Sequence, residues 1–142
     1  METIARFNAA MALETEHLAL DAPRLLEGVR RLVEDPSRGF YLVACEGARV
    51  VGQLMITYEW SDWRNGTFWW IQSVYVEPDY RGRGVFKALY GHIEGMARAA
   101  ADVCGLRLYV EGENLRAQQV YERLGMRATP YQMFEVDFVL RR

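Results

Sequence analysis

Residues 74–85 read Val74-Tyr75-Val76-Glu77-Pro78-Asp79-Tyr80-Arg81-Gly82-Arg83-Gly84-Val85. A β-branched and aromatic run stops at Glu77-Pro78, a loop with two glycines and two arginines follows, and an apolar pattern of helical period starts at Val85. A strand that feeds a helix through such a loop aims several backbone N–H groups at one spot, with the positive end of a helix behind them. The arrangement suits a pyrophosphate. Arg81 and Arg83 add charge-assisted donors, and Gly82 and Gly84 allow positive φ and close approach of the backbone. The same glycines would equally serve a plain strand-to-helix turn, so the stretch alone leaves both readings open.

Two nucleotide-binding motifs are excluded directly. A P-loop needs two glycines four residues apart followed by Lys-Ser/Thr, and that pattern is absent. A dinucleotide fingerprint needs a third glycine at position 87, which is Lys87, and Glu111 lies too far on to serve as its carboxylate.

Working outward, Val85 to Asp102 reads as a helix, with Phe86, Leu89, Ile93, Met96, Ala97 and Ala100 on one stripe. Leu106–Glu111 reads as a strand. This strand–helix–strand unit predicts that Thr67–Val76 and Leu106–Glu111 are parallel, with the loop at the carboxyl end of the first, where ligands bind in open sheets. Upstream, Phe40–Cys45, Val50–Trp60 and Thr67–Val76 have period 2 and short turns between them, which predicts an antiparallel meander. Two helices precede them. One covers Ile4–Leu20 behind Thr3 as N-cap, and the other follows Asp21 with Pro23 in its first turn. Downstream, Asn114 caps a helix that ends at Gly125, and Tyr131–Leu140 alternates as a last strand. The expectation is an α+β fold, a single domain over residues 1–142, with a mixed, mostly antiparallel sheet and helices on both faces.

Composition bounds the function. The 142 residues carry a net charge of −2 with no basic block, which argues against a nucleic-acid partner, so an anionic ligand must be held by local geometry. No apolar run approaches a membrane span and no secretory leader pattern opens the chain, so a cytoplasmic location is expected. Cys45 and Cys104 fit no metal or disulfide spacing and read as buried, reduced thiols. His17 and His92 read as structural or solvated, and no metal site is expected.

Two motifs together resemble a known family. Arg81-Gly82-Arg83-Gly84-Val85-Phe86 is similar to the Gln/Arg-x-x-Gly-x-Gly/Ala signature of the GNAT superfamily of N-acetyltransferases. Asn114, Ala117 and Tyr121 match the spacing of its second feature, and Glu122-Arg123-Leu124-Gly125-Met126 resembles the usual ending. The order of elements agrees over about residues 1–140. The resemblance implies acetyl-CoA as acyl donor, no metal, and direct attack of an amine on the thioester. It implies that the backbone of Val74-Tyr75-Val76 bonds the pantetheine arm, that N–H groups from Arg81 to Val85 hold the pyrophosphate, and that Asn114, with Ala117, meets the pantetheine. Tyr121 would protonate the departing thiolate, and a strand backbone N–H would stabilise the tetrahedral oxyanion. Acyl transfer develops negative charge on the carbonyl oxygen and then on sulfur, so donors are needed at both places. The family's habit also implies a homodimer through Tyr131–Leu140.

The chain departs from the family pattern in three places. Phe86 stands where Gly or Ala is usual, and packing inward against Leu89 and Tyr90 would accommodate it. Gln72 stands where diamine-type members carry a catalytic Glu, and an amide cannot accept a proton from an ammonium. Met1-Glu2-Thr3 leads almost directly into helix, so the family's first strand is expected to be missing or very short. For the acceptor, all four tryptophans lie between Trp60 and Trp70, and Glu59, Asp62, Trp63, Gln72 and Glu111 are the candidate substrate residues. Aromatic faces beside carboxylates suit a small cationic amine. The other reading of the same fold is a non-catalytic acyl-CoA-binding or regulatory module, favoured by Gln72 and Phe86.

Overall fold

The computed structural model describes residues 1–140. They fall into two compact units, Met1–Tyr109 and a second from Val110 onward. The first holds a four-stranded sheet in the order β1-β2-β3-β4, made of β1 (Gly39–Glu46), β2 (Arg49–Ser61), β3 (Gly66–Val76) and β4 (Val103–Arg107). β1, β2 and β3 are antiparallel neighbours, and β4 lies parallel to β3. Helices α1 (Glu2–Glu16) and α2 (Ala22–Glu34) precede the sheet, and α3 (Val85–Ala99) makes the crossover from β3 to β4. This is the mixed, mostly antiparallel α+β sheet that the sequence predicts.

Local chemistry explains most boundaries. The Asp21 carboxylate accepts from the Arg24 N–H at 3.2 Å and opens α2, with Pro23 in the first turn. Glu46 faces Arg49 across a tight turn in which Gly47 takes φ +60°. The two faces of β2 then divide the core. Leu54 and Ile56 are fully buried, and Gly52, on the same face, lies against Val85 and Leu89 of α3. Gln53, on the other face, meets Asn8 of α1. Helices therefore cover both sides, and each fully buried aliphatic side chain contributes about 1.5–3 kcal/mol.

Several boundaries differ from the sequence reading. α1 begins at Glu2, so Thr3 lies inside the helix instead of capping it, and His17 ends it in a left-handed conformation with Leu18 outside. α3 stops at Ala99 and β4 starts at Val103, earlier than Leu106–Glu111. The alanine run favours helix, but the Thr67 N–H donates to the Asp102 carbonyl at 2.8 Å and pairing from Thr67–Val103 to Trp70–Arg107 takes the segment into the sheet. On the α3 stripe Tyr90 is buried and Met96 is not. Cys45 is exposed, because it ends an edge strand, and Cys104 is half-buried.

In the second unit Asn114 caps α4 (Leu115–Arg123), and Gly125 follows at φ +97° as expected. Tyr131–Leu140 is not a strand here. Its alternating pattern leaves Phe134 and Phe138 91% and 90% exposed. Alternation makes a strand only where a neighbour supplies the ladder hydrogen bonds. Among the described residues no helix is long and apolar enough to cross a membrane, and no cluster of metal-binding side chains occurs.

Candidate active site

The loop after β3 leads into α3 through two glycines at positive φ. Pro78–Tyr80 forms a short 3-10 turn, Gly82 and Gly84 take φ +76° and +80°, and Gly84 is the N-cap of α3. The first-turn N–H groups of α3 thus point outward beside the loop. Nothing lies within 4 Å of where a Cβ would stand on either glycine, so positive φ alone demands glycine in the free protein. The Arg81 side chain turns away from the loop. Its guanidinium donates to the Val76 carbonyl at 2.8 Å and to Glu14 at 2.9 Å, and stacks over the Tyr75 ring. The Tyr75 hydroxyl donates to the other Glu14 oxygen at 3.0 Å. The Arg81 hydrogen bond, ahead of that from Tyr75, holds the Glu14 carboxyl below the usual carboxylate range. Arg83 lies over Tyr80, and Arg49 pairs with Glu77.

β3 carries a bulge just before this loop. Gln53 faces Tyr75 while Met55 faces Gln72, so Leu54 opposes both Ser73 and Val74. Ser73 takes φ +51°, a left-handed conformation that costs a residue with a Cβ about 1–2 kcal/mol. The inserted residue switches the parity of the strand: Trp70 and Gln72 share one face with Tyr75. It also breaks the regular ladder at Ser73 and Val74, while Tyr75 and Val76 stay paired with Gln53 and Gly52; the backbone of Val74, Tyr75 and Val76 is the stretch expected to meet the pantetheine.

In the second unit the Asn114 oxygen accepts from the Ala117 N–H at 3.1 Å, which places the cap and the small residue together. Tyr121, two turns along α4 from that cap, is half-buried, and burial pushes its hydroxyl above the ordinary tyrosine range. Phe86 of the first unit is half-buried, and its ring is tilted against that of Tyr90 with centroids 6.3 Å apart.

Comparison with known proteins now bears on these features. The family model described as "Acetyltransferase (GNAT) family" matches residues 7–126. The chain belongs to that family. A solved structure of a "possible acetyltransferase" from Clostridium difficile 630 is 45% identical, with a TM-score of 0.90 over 98% of this chain and 91% of that one. Thialysine N-epsilon-acetyltransferase of Bos taurus is 35% identical over 56% of this chain and 46% of its own length. Mycothiol acetyltransferase of Corynebacterium aurimucosum is 30% identical over 87% of this chain and 41% of its own. The chain thus spans less than half the length of both curated relatives.

Within this GNAT chain the candidate acceptor residues separate. Asp62 and Trp63 lie in the β2–β3 turn, at the start of β3, and Trp63 is 83% exposed. The loop at Arg81–Gly84 follows the other end of β3, roughly 33 Å away at about 3.3 Å per residue. Gln72 lies at the bulge, and its Nε2 donates to the Thr57 hydroxyl at 2.9 Å. Glu59 accepts from the Trp70 indole at 2.9 Å and from Arg107 at 2.8 Å. The indole hydrogen bond first, then Arg107, holds this carboxyl below its ordinary range. Glu111, in the second unit, accepts from the Glu113 N–H at 3.0 Å.

Sequence reading missed Asn8, Gln53 and the bulge at Ser73. One signal was present, since Gln53 interrupts the apolar run Val50–Ile56. The bulge left no local signal, because Ser73 is not a residue that favours positive φ.

Proposed function

We propose that this chain is an acetyl-CoA-dependent N-acetyltransferase acting on a primary amine, most plainly a small cationic one. The observation that carries the reading is the pair Gly82 and Gly84 at positive φ, heading α3 at the end of a bulged strand. Residues 1–142 act as one acetyltransferase domain in this reading, working in the cytoplasm.

The roles follow from charge. Val74, Tyr75 and Val76 offer backbone groups to the pantetheine amides, and the N–H groups of Arg81 to Val85 take the pyrophosphate. Asn114, whose oxygen serves its own helix cap, offers its NH2 to the pantetheine beside Ala117. The amine nitrogen attacks the thioester carbonyl carbon, the oxyanion rests on a strand N–H, and the C–S bond breaks as the intermediate collapses. The ammonium gives one proton to water before it attacks; Tyr121 then gives its proton to the sulfur and regains one from solvent as the nitrogen loses its second proton to water. A hydroxyl kept above its ordinary range stays protonated at neutral pH, as an acid must. Glu59 is a poor base, because its carboxyl is held low. The bovine relative's name specifies an ε-amine of a lysine analogue, which agrees in kind with a cationic acceptor. A homodimer through Tyr131–Leu140 would supply the ladder partner that this segment lacks within the described chain.

A second reading, an acyl-CoA-binding module without turnover, is favoured by Gln72, an amide where a base would stand. Thiol release from acetyl-CoA against a panel of amines decides between them. Amine-dependent release that drops in Tyr121→Phe supports the enzyme; calorimetric acetyl-CoA binding without turnover supports the module.

A further inference from the structure

Gln53 is the one fully buried polar side chain in the middle of β2, and its two N–H bonds go to different elements. One reaches the Ser73 carbonyl on β3 at 3.1 Å, and the other reaches Asn8 Oδ1 on α1 at 3.1 Å. Asn8 is itself buried. Gln53 Oε1 is buried with no partner among the described residues. An orphan acceptor is unfavourable, and an apolar side chain of this size would avoid it. What the amide supplies is donors, and one of them goes to the carbonyl of the residue that the bulge forces to positive φ.

We propose that Gln53 and Asn8 are positioning residues: their buried amides clamp the Ser73 bulge so that a bulge N–H, of Ser73 or Val74, stays aimed at the thioester carbonyl. The proposal rests on the acetyltransferase reading. A bulge frees backbone groups from the ladder, and Ser73 would relax from its left-handed conformation unless something over-determines it. The Gln53 bond to Ser73 holds the bulge from β2, and the Asn8 bond fixes Gln53 from α1. Helix α1 thereby becomes part of the oxyanion geometry without touching the acyl group. An oxyanion donor acts mainly in the transition state, so loosening it lowers kcat more than it weakens acetyl-CoA binding.

The test compares Gln53→Met, Asn8→Ala, Ser73→Gly and Gln53→Met/Ser73→Gly, each assayed well below its melting temperature. Gln53→Met should lower kcat tenfold or more with KM for acetyl-CoA within about threefold, and should speed amide exchange at the paired residues that flank the bulge, around Gln72 and Tyr75, beyond the change in global stability. Asn8→Ala should do the same to a smaller degree, and it carries the comparison if Gln53→Met does not fold. Ser73→Gly in the Gln53→Met background should recover part of kcat and of the exchange protection, because glycine takes positive φ without the steric penalty that drives Ser73 to relax. A purely structural role predicts lower melting temperatures with kcat unchanged, or no recovery in the double variant, and either result overturns the proposal. Absence of turnover in wild type sinks the acetyltransferase reading instead. The exchange comparison then still decides the clamp.

Discussion

Gly84→Ala separates the backbone strain of the loop from its contact with ligand. Gly84 sits at φ +80°, and a Cβ there meets no atom within 4 Å. The only cost in the free protein is then the left-handed conformation, about 1–2 kcal/mol. At about 2–4 °C per kcal/mol for a domain near this size, the melting temperature should fall by roughly 2–8 °C. The added methyl occupies the open space that a pyrophosphate would use, and losing one good phosphate contact of about 1.4 kcal/mol weakens binding tenfold. Calorimetry with acetyl-CoA at 25 °C, where the variant stays folded, should show at least that loss. Gly125→Ala, at φ +97° and also open, carries the same strain at the end of α4 and serves as control. A Gly84→Ala protein with the expected drop in melting temperature and an acetyl-CoA Kd within twofold of wild type would refute the phosphate cradle.

Tyr121→Phe should cut kcat by about 10²-fold or more while leaving acetyl-CoA affinity in place. In wild type the alkaline limb set by Tyr121 should lie above about pH 10, since burial raises this hydroxyl, and pre-steady-state rates across pH 8–11 read it. Glu14 and Glu59 have carboxyls held below their unfolded value of about 4.3, so their contribution to stability is present above that pH and is lost as pH falls through the folded values. Urea midpoints between pH 7 and pH 3 should therefore decline, and Glu59→Gln should decline less steeply than wild type. Gly39→Ala should destabilise at the upper end of about 1–3 kcal/mol, because its Cβ would overlap the Ile56 carbonyl across the β1–β2 pairing. A denaturation curve unchanged from wild type would contradict that register.

The sequence by itself determined the parts whose causes are local. The loop from Glu77 to Val85 was legible because proline and glycine act through their own backbone preferences. Asp21 and Asn114 announced their helices because a cap bonds N–H groups two or three residues away. The meander followed from period 2 and short turns, and the parallel β4 from the crossover rule. Tertiary structure decided what depends on partners distant in the chain. Pairing with β3, and not the helix propensity of the alanines, set where β4 begins. The alternation of Tyr131–Leu140 could not show whether a neighbouring strand exists to complete it. Glu59 takes its hydrogen bonds from Trp70 and Arg107, 11 and 48 residues away. Gln53 gained its role from Asn8, 45 residues back, and Ser73, 20 residues on. Short-range preferences leave a mark at the residue that has them, whereas a buried amide acquires its meaning only when packing brings its partners within 3 Å or so.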